Sequence, residues 1–399
     1  MTGGGGFLGR AVCRQLAERG HEVATFQRHL RPEPEPATPE GPACSVPDPA
    51  APDAAEVRDP AVRDAAEVRD PAVRDAAEVR DPAVRDAAEV RDPAVRDVVR
   101  IAGDVRDPDA VYAAVEGRDA VVHCAALAGV WGPARDYREV NVTGTANVID
   151  ACLRAGVPRL VHTSSPSVVH DGRDLEGVDE SAPYARRFLA PYPATKAEAE
   201  RLVLAAAGAR LATVALRPHL IWGPGDPHFL PRFVARARRG RLLLPRVPGK
   251  RVDTVYVDNA ARAHVLALEA LSPGAQVAGR AYFVAQDEPA PIADWINGLL
   301  AAAGLPPVRP RVPARLARLA GGAVEHAYRL ARVRSQPPLT RLTVVQATTS
   351  HWFDLTAARR DLGYEPLVST AEGLSRLAAH LADRNADHRT AADRDAGAP

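Results

Sequence analysis

A tyrosine and a lysine four residues apart are the side chains of this sequence best suited to catalysis. They belong to the segment Tyr192-Pro-Ala-Thr-Lys196. Pro193 favours the first turn of a helix, in which residues four apart lie on one face. A lysine ammonium beside a tyrosine phenol lowers the pKa of the phenol, which starts near ~10, towards the range useful in acid and base catalysis. The pair therefore predicts proton exchange with a substrate, and an accidental surface pair is the alternative.

Two observations favour the catalytic interpretation of this pair. Lysine is rare in this arginine-rich chain, whose only lysines are Lys196 and Lys250. In addition, Thr163-Ser-Ser165 stands upstream at the end of a predicted strand. The tyrosine and lysine follow these hydroxyl groups at a suitable distance. This arrangement favours a catalytic pair over an accidental one.

The N-terminus carries a glycine-rich turn directly before a predicted amphipathic helix. In Thr2-Gly-Gly-Gly-Gly-Phe-Leu-Gly9, the glycines Gly3, Gly6 and Gly9 recur at three-residue spacing. Glycine permits a tight turn and a close approach of the backbone to a pyrophosphate, whose negative charge is favoured at a helix N-terminus. The turn therefore predicts a dinucleotide cofactor. A disordered glycine-rich tail is the alternative.

The residues after the first two predicted strands bear on which dinucleotide binds. Gln27 stands where an acidic residue would bind the ribose hydroxyls of NAD, and Arg28 follows it. An arginine here can pair with the 2′-phosphate of NADP, so the sequence favours NADP, with NAD as the other option. A solvent-exposed arginine is the alternative for Arg28. Asp104 follows the next strand, where its carboxylate could accept a hydrogen bond from the adenine amino group or simply form a turn.

Strand-like and helix-like patterns alternate through the first half of the chain, which predicts an α/β fold. The predicted strands are 22–26, 98–102, 120–123, 160–163 and 212–217, and the predicted helices are 10–19, 137–155 and 194–207. We expect a Rossmann-like, doubly wound parallel sheet formed by residues 1–30 and 98–217. After Pro218 the alternation weakens, so residues 218–385 are predicted to form a smaller substrate lobe and residues 386–399 a flexible tail.

Four identical copies of an eleven-residue unit occupy residues 54–97. Each unit contains a proline, which breaks a continuous helix, and only two valines as its larger apolar residues. The upstream stretch is rich in Pro, Ala and Glu. Residues 31–97 are therefore predicted to be a disordered insertion without a chemical role.

A glycine turn of this kind normally follows a buried strand of five or six apolar residues, whereas here only Met1 and Thr2 precede it. Two explanations are open: the start codon has been assigned too late, or the protein lacks a central strand. We expect the former, with an in-frame apolar segment upstream.

Bulk composition limits the partners of the chain. The 51 basic and 50 acidic residues nearly cancel, so we expect neither nucleic acid nor an anionic membrane surface to be held by a broad positive field. No apolar run approaches the ~20 residues of a membrane span, and no Cys or His cluster has the spacing of metal ligands. A small-molecule partner, no metal and a cytoplasmic location are the resulting expectations.

Several motifs together resemble the extended short-chain dehydrogenases/reductases, in the branch of 3β-hydroxysteroid dehydrogenases and NAD-dependent epimerases/dehydratases. These motifs are Thr2 to Gly9, Gly103-Asp104, His123-Cys-Ala-Ala126, Asn141-Val-Thr-Gly-Thr145, Thr163-Ser-Ser165, Tyr192 to Lys196, Leu216-Arg-Pro218 and Gly223-Pro-Gly225. Gly129 to Gly132, Pro166 to His170 and Thr349 to Asp354 are most similar to bacterial reductases of 2-alkyl-3-oxoalkanoates in long-chain hydrocarbon synthesis.

The resemblance implies a role for each matching residue. Tyr192 would donate a proton to a carbonyl oxygen as hydride arrives from the nicotinamide, and Lys196 would bind the nicotinamide ribose and hold the tyrosine pKa down. Ser165, or Ser164 in its place, would position the substrate oxygen, and Asn141 would either order the site or make a structural hydrogen bond. The implied cofactor contacts are Gly3, Gly6, Phe7, Leu8, Gly9, Arg28, Asp104, Val105, Ala125, Ala126, Tyr192 and Lys196. Family members often pair as dimers, so a homodimer is a further expectation.

The predicted function is therefore the interconversion of a ketone and a secondary alcohol on a bulky apolar substrate, either a 2-alkyl-3-oxoalkanoate or a 3β-hydroxysteroid. A nucleotide-sugar epimerase is one alternative, although Val130-Trp131 and Phe229-Leu-Pro231 favour an apolar pocket. A catalytically silent NAD(P)-binding sensor is another, although such proteins commonly lose the tyrosine or the lysine. His219 and His228 are interpreted as non-catalytic.

Overall fold

The computed structural model describes residues 1–28, 90–91, 98–227, 230–333 and 335–396, and for residues 90–91, 232 and 384–396 it describes the backbone alone. The predicted insertion at 31–97 lies outside the described residues except for Val90–Arg91, and its disorder stays a prediction. His228 and Phe229 also lie outside them.

Helices and strands alternate along most of the described chain. The helices are α1 (Phe7–Glu18), α2 (Pro108–Val115), α3 (Ala134–Arg138), α4 (Gly144–Ala155), α5 (Pro191–Ala205), α6 (Leu230–Arg238), α7 (Val257–Ala270), α8 (Ile292–Ala302), α9 (Ala314–Leu330), α10 (Arg341–Gln346), α11 (Thr356–Leu362) and α12 (Thr370–Ala396). The strands are β1 (Val23–Gln27), β2 (Val90–Arg91), β3 (Val98–Ala102), β4 (Val121–His123), β5 (Arg159–Thr163), β6 (Leu175–Val178), β7 (Ala212–Pro218), β8 (Ile221–Trp222), β9 (Pro245–Arg246), β10 (Arg251–Val252), β11 (Val255–Tyr256), β12 (Arg280–Val284), β13 (Ala290–Pro291), β14 (Val312–Pro313) and β15 (His351–Phe353). A π-helical turn, Glu139–Thr143, joins α3 to α4.

The main sheet confirms the predicted α/β fold. Its described strands follow the order β2-β3-β1 on one side and β4-β5-β7-β12 on the other, and all neighbours run parallel except β2 and β3. The strand order reverses between β1 and β4, and in such sheets this reversal point is where a nucleotide binds.

The first three residues lie between β1 and β4 and connect the two halves of the sheet. Thr2 N donates to Val122 O at 3.0 Å, and Gly3 N donates to Phe26 O at 2.9 Å. Thr2 forms parallel bridges with both Phe26 and His123. The turn that begins at Gly3 is therefore positioned at the carboxyl ends of the neighbouring strands. The predicted upstream segment stays a prediction.

A second, smaller sheet lies apart from the main one, with the described strand order β13-β10-β15-β6. It takes β6 from the chain before residue 217, whereas β12, which lies after residue 217, completes the main sheet. The predicted domain boundaries stay predictions. Helix α12 continues to Ala396, through most of the segment predicted as a flexible tail. Among the described residues, no helix combines the length and the apolarity needed to cross a membrane.

Candidate active site

Helix α5 places the predicted tyrosine and lysine at one cavity. The helix begins at Pro191, where proline suits the first turn, and its N-cap residue Ala190 makes no side-chain capping bond. Tyr192 and Lys196 lie one turn apart and both line a cavity of about 430 Å³. The same cavity is lined by the glycine turn and by residues at the end of β5. The helix thus brings the two side chains to the edge of the sheet where a nucleotide is expected.

The ammonium group of Lys196 is buried, with the residue 2% exposed. Its Nζ donates to Thr163 O at 2.6 Å and lies 3.2 Å from His162 Nε2. Burial lowers the pKa of Lys196 to about 8, and the nearby carboxylate of Glu200 opposes that shift. Because an ammonium can only donate, His162 Nε2 must accept and His162 Nδ1 carries the proton. His162 Nδ1 is buried without a hydrogen-bond partner.

Tyr192 differs from the sequence expectation. Burial raises the pKa of its phenol, and a hydrogen bond with Ser165 acts in the opposite direction. Lys196 contributes nothing to that pKa, because its Nζ is directed at the end of β5 through Thr163 O and His162. The predicted lowering of the tyrosine pKa by the lysine is therefore wrong for this structure.

Ser165 faces the cavity from the turn after β5. It caps the short 3-10 turn Pro166–Val168, in which its Oγ accepts from Ser167 N at 3.2 Å and Ser167 Oγ lies 2.9 Å away. The other serine, Ser164, is 3% exposed and lies beside Glu200, where it lowers the pKa of that carboxyl. Ser165, which contacts the phenol of Tyr192, is thus the better placed of the two to hold a substrate oxygen.

Asn141 joins the segment after β4 to helix α5 and so supports the site. Its Oδ1 accepts from Leu127 N at 2.7 Å, and its Nδ2 donates to Leu127 O at 3.1 Å and Thr195 Oγ1 at 3.0 Å. The side chain is 1% exposed and does not line the cavity. Every hydrogen bond of this amide goes to protein groups, so the geometry assigns it to holding the segment after β4 against α5.

The glycine turn has the backbone that a pyrophosphate site needs. Gly3 has φ +72°, which disfavours side chains. A Cβ on Gly9 would lie 2.1 Å from Gly3 O, so only glycine lets α1 pack against the turn. A Cβ on Gly6 would meet nothing closer than Gly3 O at 3.2 Å. Helix α1 begins without a side-chain cap, which leaves its first N–H groups available for an anion.

A group of charged side chains lies beyond the turn, at the ends of β1 and β3. Arg28 Nε is 3.9 Å from Asp104 Oδ2, and Arg106 Nη2 donates to the same oxygen at 2.7 Å. A hydrogen bond from Arg106 keeps the pKa of Asp104 low against the effect of its burial. The carboxylate that the sequence assigns to adenine recognition is therefore engaged by arginines. Val105, the next residue, is buried against Gly144.

Three histidines that lie close to one another also line the cavity, with ring centroids 6.0 Å apart for His170 and His351 and 4.8 Å apart for His219 and His351. Each ring donates one N–H to a main-chain carbonyl: His170 Nε2 to Arg173 at 3.1 Å, His219 Nδ1 to Asp253 at 2.5 Å, and His351 Nε2 to Gln346 at 2.7 Å. Burial lowers the pKa of all three rings. The three rings are therefore uncharged at neutral pH, in keeping with an apolar substrate, and the one carboxylate among the lining residues is that of Asp226.

The structure brings most of the predicted site residues together. Those that line the one cavity are Gly3, Gly6, Phe7, Leu8, Gly9, Ala126, Ser165, Tyr192 and Lys196. Arg28, Asp104, Val105, Ala125 and Asn141 do not line it, although Ala125 N lies next to the turn at Gly3. Of the residues that predicted an apolar pocket, Val130 lines the cavity, whereas Trp131 Nε1 donates to Val333 O at 3.3 Å.

Sequence reasoning missed the apolar residues that come from distant parts of the chain. Leu175, Leu220, Ile221, Leu342 and Phe353 line the cavity beside the histidines. It also missed a buried ion pair below Ser164, in which Arg217 Nη2 lies 2.7 Å from Glu200 Oε1. The contact between Arg217 and Glu200 joins two elements that are remote in sequence, so no local pattern predicts it. The one sequence signal for Arg217 is its place in the motif Leu216-Arg-Pro218.

A doubly wound sheet with a glycine turn at its reversal point and a tyrosine, serine and lysine at one cavity defines an NAD(P)-dependent oxidoreductase of the short-chain type. Residues 68–312 match the model of the 3-beta hydroxysteroid dehydrogenase/isomerase family. The chain belongs to that family.

Curated relatives align over almost the whole chain. A 2-alkyl-3-oxoalkanoate reductase of Stenotrophomonas maltophilia is 44% identical over 96% of this chain and 98% of its own. One of Shewanella oneidensis is 40% identical over 96% of this chain and 85% of its own. Among solved structures, MoeE5 in complex with UDP-glucuronic acid and NAD has a TM-score of 0.62 at 20% identity, over 96% of this chain and 98% of that one. This last likeness concerns the fold alone.

Proposed function

We propose that this NAD(P)-dependent oxidoreductase reduces the ketone of 2-alkyl-3-oxoalkanoates to the secondary alcohol. The observation that carries the proposal is the one cavity at which Tyr192, Ser165 and Lys196 meet several apolar side chains and three uncharged histidines. Such a lining suits the long alkyl chains of that substrate better than the diphosphate of a nucleotide sugar. The relatives of that activity, aligned over 96% of this chain, support it.

The chain is shaped to hold a nicotinamide dinucleotide. Gly3 and Gly9 need the absence of a side chain for the turn itself, and the uncapped start of α1 offers N–H groups to a pyrophosphate. Lys196, which is buried and lines the same cavity, would donate to the nicotinamide ribose. When bound, the cofactor supplies the hydride that reduces the ketone.

Three side chains would prepare the ketone for reduction. Ser165 would donate a hydrogen bond to the carbonyl oxygen and hold it beside the phenol of Tyr192, which it already contacts. Tyr192 would give its proton to that oxygen as negative charge develops on it. Because burial raises the phenol pKa, Tyr192 carries its proton at neutral pH and has one to give. Lys196 would contribute by holding the nicotinamide ribose in place beside these two groups.

We further propose NADP as the preferred cofactor. Arg28 is about half exposed and lies near Arg106 on a shared carboxylate, at the edge of the sheet where the adenosine ribose would lie. Two guanidinium groups there would attract a 2′-phosphate. The residue at the end of β1, where an acidic side chain would bind the ribose hydroxyls of NAD, is Gln27.

The test is an absorbance assay of the purified chain with NADPH or NADH and three classes of substrate: a 2-alkyl-3-oxoalkanoate, a 3-ketosteroid and a UDP-sugar. Oxidation of NADPH with the keto acid, faster than with the ketosteroid, is the expected result. Faster oxidation with the ketosteroid would move the substrate class to steroids. Interconversion of UDP-sugars, followed by chromatography because it consumes no NADPH, would establish an epimerase. Tight cofactor binding without any turnover would identify a sensor.

A further inference from the structure

Helix α9 presents an apolar face away from the protein. Leu316, Leu319 and Leu330 are 57%, 70% and 72% exposed. The helical repeat places three exposed alanines between them, so the outward face consists of Leu316, Leu319, Ala320, Ala323, Ala327 and Leu330. We call these six residues the α9 face. The opposite side of the helix is buried at Gly321 and Glu325, which contact α10 and its start. The α9 face therefore has no cover among the described residues.

The segments that form and adjoin helix α9 are strongly basic. Each of the segments 230–252 and 305–341 contains eight basic residues, and the two together contain a single acid, Glu325. That acid is buried and paired with Arg329 and Arg341. Eight exposed arginines of these segments make neither an ion pair nor a side-chain hydrogen bond with the described residues. We call them the basic rim: Arg238, Arg239, Arg241, Arg246, Arg309, Arg311, Arg315 and Arg332. Many other arginines of the described chain, such as Arg14, Arg138 and Arg359, do pair with acids.

The two basic segments form one surface. Strands β9 and β14 pair in parallel, with Val312 opposite Pro245. Strand β14 leads directly into α9, which begins at Ala314. Arg236 Nη2 donates to Pro338 O at 2.5 Å, which ties α6 to the chain after α9. Leu243, 66% exposed, adds a fourth leucine on the β9 side of this surface.

We propose that the α9 face and the basic rim form a surface that docks on an anionic lipid bilayer. The leucines of an interfacial helix enter the boundary between headgroups and acyl chains, and arginines beside them bind lipid phosphates. Exposed leucines flanked by unpaired arginines, on a helix too polar to span the membrane, fit this arrangement.

Charge argues against the other occupants of this surface. A second copy of the chain would bring the same basic rim against itself, and like charges across an interface oppose association. A nucleic acid would pair with the arginines but would gain nothing from four exposed leucines. Proteins that bind single-stranded nucleic acid usually stack its bases on aromatic side chains. An anionic bilayer complements both the charge and the apolar face.

The surface lies close to the substrate cavity. Helix α9 packs on α10, whose Leu342 and Gln346 line that cavity. At its other end, Tyr328 stacks edge-on against Trp131, next to the cavity-lining residues Gly129 and Val130. Docking would thus bring the cavity wall next to the bilayer, where long-chain substrates dissolve.

Sedimentation with vesicles tests the proposal. The full chain should sediment with vesicles of phosphatidylglycerol and phosphatidylcholine, less with pure phosphatidylcholine, and less again as salt is raised. Leu316→Ser/Leu319→Ser/Leu330→Ser should weaken binding to the anionic vesicles by roughly tenfold or more, since each leucine loses its apolar burial. Arg238→Gln/Arg239→Gln/Arg241→Gln should weaken it by about fivefold per charge at low salt, which is roughly a hundredfold for the three together.

Matched controls come from exposed residues elsewhere. Leu367→Ser removes a leucine that is 69% exposed, and Arg186→Gln/Arg187→Gln removes two exposed arginines outside the surface; neither should change binding. Thermal unfolding of every variant checks the fold. Because vesicle binding is measured without a substrate, its outcome does not depend on the proposed reaction. Vesicle binding unchanged in the leucine variant would overturn the proposal, as would displacement of the vesicles by duplex DNA. Self-association in the absence of lipid that the leucine variant abolishes would assign the face to a second copy.

Discussion

Replacing His162 by leucine tests whether this ring supports the charge of the catalytic lysine. The ring accepts from Lys196 Nζ at 3.2 Å, and its own neighbours His123 and His264 are uncharged, because burial lowers their pKa values to about 3 and about 4. Leucine fills a similar space but offers no acceptor. The remaining protein acceptor on Nζ would be Thr163 O.

The size of the effect follows from the burial of the ammonium group. A hydrogen bond to a buried charge contributes about 1.5–3 kcal/mol, and 1.36 kcal/mol corresponds to roughly one pKa unit. His162→Leu should therefore lower the pKa of Lys196, which burial has already lowered to about 8, by roughly one to two further units. Because the lysine must be protonated to act, activity is lost as pH rises through this pKa, and the loss should begin at a lower pH in the variant.

The assay is the pH profile of kcat/KM, which reports the free enzyme. The matched variant His162→Gln keeps an acceptor in its amide oxygen and should leave the basic limb of the profile within about half a unit of the wild type. Thermal unfolding of both variants separates a loss of fold from a loss of charge. A basic limb that stays in place in His162→Leu would refute the reasoning.

Three further predictions concern stability and cofactor choice. Arg217→Met should destabilise the protein by about 3–5 kcal/mol in urea unfolding, because it leaves the carboxylate of Glu200 buried without a cation. Adding Glu200→Gln should restore part of the lost stability, and equal stability of the single and double variants would contradict this. Arg28→Gln should raise the KM for NADPH about tenfold and leave that for NADH unchanged, and a parallel rise for both cofactors would argue against a 2′-phosphate site. The free energy of unfolding measured in guanidinium chloride should fall from pH 7 to pH 5. Buried histidines whose folded pKa lies below the unfolded value of ~6.5 bind fewer protons in the folded state than in the unfolded state, which costs about 1.4 kcal/mol per pH unit for each ring. A flat profile would contradict the burial of these rings. These histidines are His123, His162, His219, His264 and His351.

Hydrophobic periodicity located the elements of the main sheet but not where its helices begin. The five predicted strands match the observed ones to within one residue, because alternating strands and helices must bury their apolar runs. The three predicted helices each begin three residues too late. Their N-cap residues, Gly6, Pro133 and Ala190, make no side-chain capping bond, so the usual capping signal is absent from the sequence.

The site was predictable where one helix or one turn creates it. The spacing of Tyr192 and Lys196 sets their common face, and the glycine turn sets the backbone at the sheet edge. The direction of Lys196 Nζ was not predictable, because it depends on His162 in a strand remote in sequence. The cavity wall formed by α10 and β15 likewise depends on tertiary packing.

Net charge concealed the distribution of charge. The near balance of basic and acidic residues led to the expectation that no positive field would hold a membrane surface. The structure places unpaired arginines in the segments that form and adjoin the α9 face, and many acids of the described residues lie elsewhere in ion pairs. A total over the chain cannot report such segregation, since only the fold decides which charges become neighbours.

The most direct test of the proposed reaction is the transfer of deuterium from NADPH deuterated at the nicotinamide C4 position to a 2-alkyl-3-oxoalkanoate. We predict a product alcohol with deuterium on its C3 carbinol carbon, formed by the wild-type chain and lost in Tyr192→Phe while NADPH still binds. A Tyr192→Phe variant that forms the deuterated alcohol at the wild-type rate would contradict the assignment of the phenol as the proton donor, and a wild-type chain that binds both ligands without transferring deuterium would contradict the reductase itself.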